Sequence, residues 1–279
     1  MHVALRPGQS QSKSGKTCAR ATMGGEAMSE FDGKSVIITG GGGHGGRALA
    51  RLFAEAGAKV AAFDISEASL AGFHADMASK TAATLGIACD LRDWDQLQAS
   101  ADRVATAFGG IDILINTATA RTNPVWKGIE DCSHAELTEL MEVGPNGTLG
   151  AMRAVLPYMK GKGGKIINFG SGSGRNPAPG LGAYGMSKAA VHSLTKLAAR
   201  EWSKYRINVN GILPFMMTPT MAQSLRDDPH ALDPFLPPLN WIGDAERDIG
   251  QVVLFLASSA SDYITGQNLP VDGGTDMMF

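Results

Sequence analysis

The chain has 279 residues, of which 44% are hydrophobic and 19% charged, a balance that suits one compact α/β domain better than a disordered, fibrous or disulfide-stapled chain. A formal net charge of -2 and a sequence pI near 6.3 leave no field for gripping phosphate polymers or anionic lipid, so neither nucleic acid nor membrane is an expected partner. No apolar run approaches the roughly 20 residues that span a bilayer, and the scattered Cys18, Cys89 and Cys132, with dispersed histidines, encode neither a disulfide framework nor a metal site.

Residues 1–28 are Ser/Gly/Lys-rich, carry a single acid, Glu26, and contain no apolar core for a signal peptide, which predicts a disordered tail ahead of a domain over 29–279. A basic, acid-poor transit peptide and an upstream start with Met28 opening the domain are the other readings. From Lys34 onward, short β-branched runs alternate with longer Ala/Leu-rich helical patterns, the rhythm of βαβ units and a parallel sheet. Strands are predicted at Ser35–Thr39, Lys59–Asp64, Thr84–Cys89, Ile111–Asn116, Lys165–Phe169, Ile207–Leu213 and Asn268–Val271. Helices fall between them, at Gly46–Ala56, Ser66–Lys80, Trp94–Phe108, His134–Met159, Ala183–Tyr205 and Ala245–Ser258, with Ser66, Asp93 and Ser133 as caps. Residues 214–241 break the rhythm and read as a substrate-loop insertion at one end of the sheet.

The first strand runs into Gly40-Gly41-Gly42-Gly43-His44-Gly45-Gly46, a turn that opens a helix and lets backbone N–H groups approach a pyrophosphate. With so many glycines a G-x-G-x-x-G match is nearly unavoidable; its place after a strand is what gives it meaning. Asp64 closes the second strand about 20 residues on, where a carboxylate accepts from the adenosine ribose hydroxyls and repels a 2′-phosphate, favouring NAD over NADP. Capping the following helix is the plainer role for Asp64, and Ser66 competes for it. Together these features predict a single-domain Rossmann fold, with a doubly wound, mostly parallel seven-stranded sheet and helices on both faces.

Tyr184 and Lys188 stand at i and i+4, one above the other on a helix face. A neighbouring cation favours the phenolate form of a tyrosine, so Lys188 is placed to tune Tyr184 as an acid/base. The spacing alone also describes an ordinary exposed helix pair. What adds to it is order along the chain: Asp90-Leu91 after the third strand, Asn116-Thr117-Ala118 after the fourth, and Ser171 ahead of Tyr184. Downstream follow Asn208-Val209-Asn210, Pro214, Thr218, Ile264-Thr265-Gly266-Gln267 and Val271-Asp272-Gly273-Gly274.

With these matches, the chain from about Phe31 to Phe279 resembles the short-chain dehydrogenase/reductase family. The resemblance implies an NAD-dependent alcohol dehydrogenase or carbonyl reductase, cytoplasmic and assembled as a homotetramer or dimer through the helices near His134–Met159 and Ala183–Tyr205. It implies that Tyr184 exchanges a proton with the substrate oxygen, that Ser171 hydrogen-bonds that oxygen, and that Lys188 also holds the nicotinamide ribose. Asp90 and Leu91 would meet the adenine, Asn116 and Ala118 the middle of the cofactor, and Met217 and Thr218 its carboxamide end beside Pro214. Enoyl reduction is disfavoured, since family members that reduce C=C bonds typically place six residues between Tyr and Lys, against three here.

Several positions depart from the family pattern. In the T-G-x-x-x-G-x-G register His44 replaces the second glycine, so either its imidazole faces the pyrophosphate or the glycine run slips by one residue, the reading that glycine's low steric cost favours. Thr119 stands where the Asn-Asn-Ala-Gly signature ends in glycine, and Gly144 where a helix-borne asparagine completes a proton relay from the lysine to water. Pro145 lacks an N–H and would free the carbonyl of Met141 if the segment is helical, so water in the space beside Gly144 is the expected substitute. These departures motivate a rival reading, a catalytically impaired dinucleotide-binding sensor or scaffold. The apolar Phe215, Met216, Met217, Met221, Leu236 and Trp241 suggest a hydrophobic or ring-bearing substrate, although core packing uses the same residue types. Arg121 and Lys127 could receive an anionic group or simply be solvated.

Overall fold

A computed structural model describes residues 29–120 and 128–277; the predicted tail over 1–28 and the candidate anion contacts Arg121 and Lys127 lie outside them. The chain forms one sheet of strands β1 (Ser35–Thr39), β2 (Lys59–Asp64), β3 (Thr84–Ala88), β4 (Ile113–Asn116), β5 (Gly164–Phe169), β6 (Ile207–Pro214) and β7 (Asn268–Val271). Every strand pairing is parallel and the order is β3-β2-β1-β4-β5-β6-β7. The chain therefore turns from one half of the sheet to the other between β1 and β4, where Thr39 pairs with Asn116. Ligand crevices of doubly wound sheets open at that point, beyond the carboxyl ends of the strands.

Helices α1 (His44–Glu55), α2 (Glu67–Met77), α3 (Trp94–Phe108), α4 (His134–Met141), α5 (Gly147–Met159), α6 (Gly182–Trp202), α7 (Pro219–Asp227) and α8 (Gln251–Ala257) complete the chain. Strand side chains alternate between faces, so Val36 and Ile38 pack with Leu49, Phe53 and Val253 from α1 and α8. Ile37, between them, joins Leu97, Val104, Met152 and Ala198 from α3, α5 and α6 on the opposite face. Each of these buried side chains larger than alanine stabilises the fold by roughly 1.5–3 kcal/mol.

The predicted caps hold: Ser66, Asp93 and Ser133 accept from the backbone N–H of Ser69, Gln96 and Glu136 respectively. The helix predicted over His134–Met159 runs on without a break but changes its hydrogen-bond pattern midway, because Pro145 has no N–H to offer four residues back. The backbone widens into a π turn over Glu142–Asn146, in which the Gly147 N–H reaches the Glu142 carbonyl five residues earlier. The excursion over 214–241 contains α7 and a 3-10 turn at Asp233–Phe235. Its Leu239 N–H donates to the Gly273 carbonyl, tying it to the turn after β7.

Candidate active site

β1 ends in a turn that leaves no room for a side chain at Gly40 or Gly46. Gly40 has φ +65, and a Cβ there would lie 2.9 Å from Ala118 Cα. A Cβ on Gly46 would lie 2.3 Å from the Gly40 carbonyl oxygen, so α1 packs directly on the turn that precedes it. Its N-cap, Gly43, supplies no side-chain hydrogen bond, which leaves the first N–H groups of this 12-residue helix facing the crevice. Asp64 closes the far side. Its carboxylate accepts from the Gly42 N–H at 3.1 Å and the Ser66 N–H at 2.9 Å. Capping of α2 falls to Ser66, so Asp64 serves the turn and the crevice instead.

The crevice has a volume of about 550 Å³, in the range of small-molecule and cofactor sites. Of the residues singled out in the sequence, Gly40, Gly43, His44, Gly45, Gly46, Asp64, Asp90, Leu91 and Ala118 line it. Cys89, Thr119, Glu139, Val143, Phe169 and Met216 line it as well. Asp90 is not the cap of α3, a role taken by Asp93, and the guanidinium of Arg92 holds its carboxyl below the usual carboxylate range. Burial pushes the Cys89 thiol up.

The remaining expected contacts sit elsewhere. Gly42 lies under α2, where a Cβ would meet Ser69 at 2.6 Å, and reaches the site only through its N–H. Asn116 is buried inside the sheet: it accepts from the Thr39 hydroxyl and donates to Asn168, which donates in turn to Thr195 of α6. Pro214 pairs with Val271 at the end of β6, and the Thr218 hydroxyl accepts from the Met221 N–H as the cap of α7. Met216 lines the crevice in place of Met217. Met216 bridges to Gly243 as extended backbone, and successive side chains on such backbone point to opposite sides. Its methyl stands 3.0 Å from where a Cβ on Gly45 would be, filling the room an aliphatic residue there would take.

The acid–base candidates are grouped beyond Phe169. Tyr184 lies half-buried in the first turn of α6, and Lys188 one turn later is 4% exposed. The Lys188 ammonium donates to the Phe169 carbonyl at 2.9 Å and stands 5.7 Å from the centroid of the Tyr184 ring. Two residues after Phe169, Ser171 accepts a hydrogen bond from the Ser173 N–H at 3.2 Å, leaving its own hydroxyl proton to donate. These three residues do not line the crevice itself; Phe169 connects the two regions, since it lines the crevice and its carbonyl holds Lys188. Gly144, in the π turn against α6, has room for a Cβ, which would meet Ser187 Oγ at 3.5 Å.

Neither Phe169 nor His192 was singled out from the sequence. His192 sits one turn beyond Lys188 on the buried face of α6, and its Nε2 lies 3.3 Å from the Ser171 backbone nitrogen. The i, i+4 step from Lys188 was the available signal. No group of His, Cys, Asp and Glu among the described residues could hold a metal ion, and no described helix is long and apolar enough to cross a membrane.

The family model described as Enoyl-(Acyl carrier protein) reductase matches residues 45–276. A 12alpha-hydroxysteroid dehydrogenase from Clostridium sp. is 32% identical over 259 residues, covering 88% of this chain and 98% of that protein. D-threitol dehydrogenase from Mycolicibacterium smegmatis is 33% identical, covering 88% and 93%. Among solved structures, carveol dehydrogenase from Mycobacterium avium in complex with NAD superposes with a TM-score of 0.80 at 27% identity, covering 88% of this chain and 99% of that one. With its parallel sheet, glycine-lined crevice and Ser171, Tyr184 and Lys188 beside it, the chain belongs to the short-chain dehydrogenase/reductase family.

Proposed function

We propose that this protein is an NAD(H)-dependent oxidoreductase that interconverts a secondary alcohol and a ketone, hydrophobic or cyclic, with Tyr184 as the acid/base. The observation that carries the reading is the joining of the Asp64-closed crevice, through Phe169, to the Lys188, Tyr184 and Ser171 group. The crevice fits a dinucleotide: α1 presents uncapped N–H groups to a pyrophosphate, and Asp64 presents a carboxylate to ribose hydroxyls. When bound, the nicotinamide accepts or returns the hydride. Gly40, at φ +65 beside Ala118, and Gly46, packed on the Gly40 carbonyl, support the unslipped register, which leaves His44 at the second-glycine position on the first turn of α1.

In the oxidative direction Tyr184 takes the hydroxyl proton while Ser171, its oxygen already engaged by the Ser173 N–H, donates to the substrate oxygen. Lys188, buried and held by the Phe169 carbonyl, stands beside the phenol ring. Proton exit then runs past Gly144, where water at the π turn takes the place of a side-chain amide. Gly144→Asn tests that exit: its Cβ fits, and turnover and its solvent isotope effect change if the relay is limiting, whereas unchanged values would count against the idea.

The matched family model carries an enoyl reductase description, but the three residues between Tyr184 and Lys188 and the relatives named as dehydrogenases of a hydroxysteroid, threitol and carveol support alcohol chemistry. Steroid and carveol are ring-bearing, and Met216 in the crevice wall adds apolar surface. A series of secondary alcohols graded from small and acyclic to ring-bearing, assayed with NAD, tests the substrate class; activity rises with apolar surface, and a flat or inverse trend removes that part of the reading. Assembly as a dimer or tetramer in the cytoplasm completes the proposal, with Met186 and Leu197 exposed on α6 as candidate contacts. Tight NADH binding without turnover of any alcohol would favour the sensor or scaffold instead.

A further inference from the structure

The loop that carries Ser171 is held from below by one imidazole. His192 is 9% exposed and wedged between the two glycines that flank that loop. A Cβ on Gly170 would lie 2.4 Å from its Nε2, and one on Gly174 would lie 2.8 Å from its Cε1. The Ser171 backbone N–H donates to Nε2 across 3.3 Å. An Nε2 that accepts must keep its lone pair, so the ring is neutral and its proton sits on Nδ1. Burial, reinforced by the nearby cations Lys188 and Lys196 on α6 and Arg175 on the loop, lowers the imidazole to about 4 and keeps it in that accepting form. From β7, Asn268 donates to the His192 carbonyl at 3.2 Å and fixes the backbone behind the ring.

An apolar side chain could fill the same space, but it would leave the Ser171 N–H without this partner. We propose that His192 is a positioning residue for the reaction: its neutral Nε2 anchors the Ser171 backbone and so sets where the serine hydroxyl meets the substrate oxygen. The inference rests on the reading of Ser171 as the hydrogen-bond donor to that oxygen. It adds a contact beneath the loop, reached from the same face of α6 that carries Lys188.

Three measurements test it. In His192→Leu, which keeps side-chain bulk and removes the acceptor, kcat falls about tenfold while NAD affinity stays within about twofold. His192→Gln, whose Oε1 can accept in place of Nε2, restores most of the loss. Long-range ¹⁵N–¹H NMR of the full chain shows His192 protonated on Nδ1 alone near neutral pH, with a titration midpoint near 4. Wild-type kcat in the leucine variant, a glutamine variant no better than leucine, or a proton on Nε2 overturns the proposal. If the wild type turns over no alcohol, the oxidoreductase reading fails and the NMR tautomer alone decides whether His192 anchors Ser171.

Discussion

Tyr184→Phe is expected to lower turnover roughly 1000-fold, within the span that a positioned acid/base contributes, while NADH affinity and melting temperature stay close to wild type. The substitution removes one oxygen from a half-buried ring in the first turn of α6 and leaves the packing of that ring unchanged. On the proposed mechanism, what it removes is the group that would exchange a proton with the substrate oxygen. Ser171 can still donate to that oxygen, and Lys188 stays fixed by the Phe169 carbonyl, so the substrate and cofactor sites survive without a proton partner. Steady-state kinetics and an NADH titration on the same preparation check the result. A variant retaining a tenth or more of wild-type turnover would remove Tyr184 from the mechanism.

Asp64→Ala is expected to shift the ratio of kcat/KM for NAD over NADP by about 100-fold toward NADP. On the proposed reading of Asp64, two contributions would act in the same direction: loss of a charge-assisted acceptor for the ribose hydroxyls, worth about 1.5–3 kcal/mol with NAD, and relief of repulsion against a 2′-phosphate with NADP. The ratio matters more than either value, because Asp64 also accepts from the Gly42 and Ser66 N–H groups that shape the turn. A purely structural Asp64 would weaken both cofactors equally and leave the ratio where it was. Parallel kinetics with the two cofactors distinguish the outcomes.

The strands and most helices were legible because their determinants are local: β-branched runs, Ala/Leu periodicity, and the caps Ser66, Asp93 and Ser133. Pro145 announced trouble in the long helix, but a missing N–H does not say whether the helix breaks or widens; the observed π turn keeps α4 and α5 continuous. Met216 and Met217 could not be told apart from sequence, since the choice depends on a bridge to Gly243 formed 27 residues away. The resemblance assigns Asn116 to the cofactor, whereas in the fold its amide bonds to Thr39 and Asn168 from neighbouring strands. The joining of the crevice to Lys188 through the Phe169 carbonyl is likewise a tertiary fact, as is the docking of His192 beneath Ser171. Motif spacing therefore identified the chemical groups better than it did their partners.

Hydride transfer itself offers the most direct test of the account. The full-length protein is incubated with NAD and ring-bearing secondary alcohols deuterated at the carbinol carbon, and the nicotinamide is analysed by mass spectrometry and NMR. One deuterium is expected at nicotinamide C4 with an equal amount of ketone, and both are expected to be lost in Tyr184→Phe. Binding of NAD without deuterium transfer from any alcohol in the panel would contradict the account.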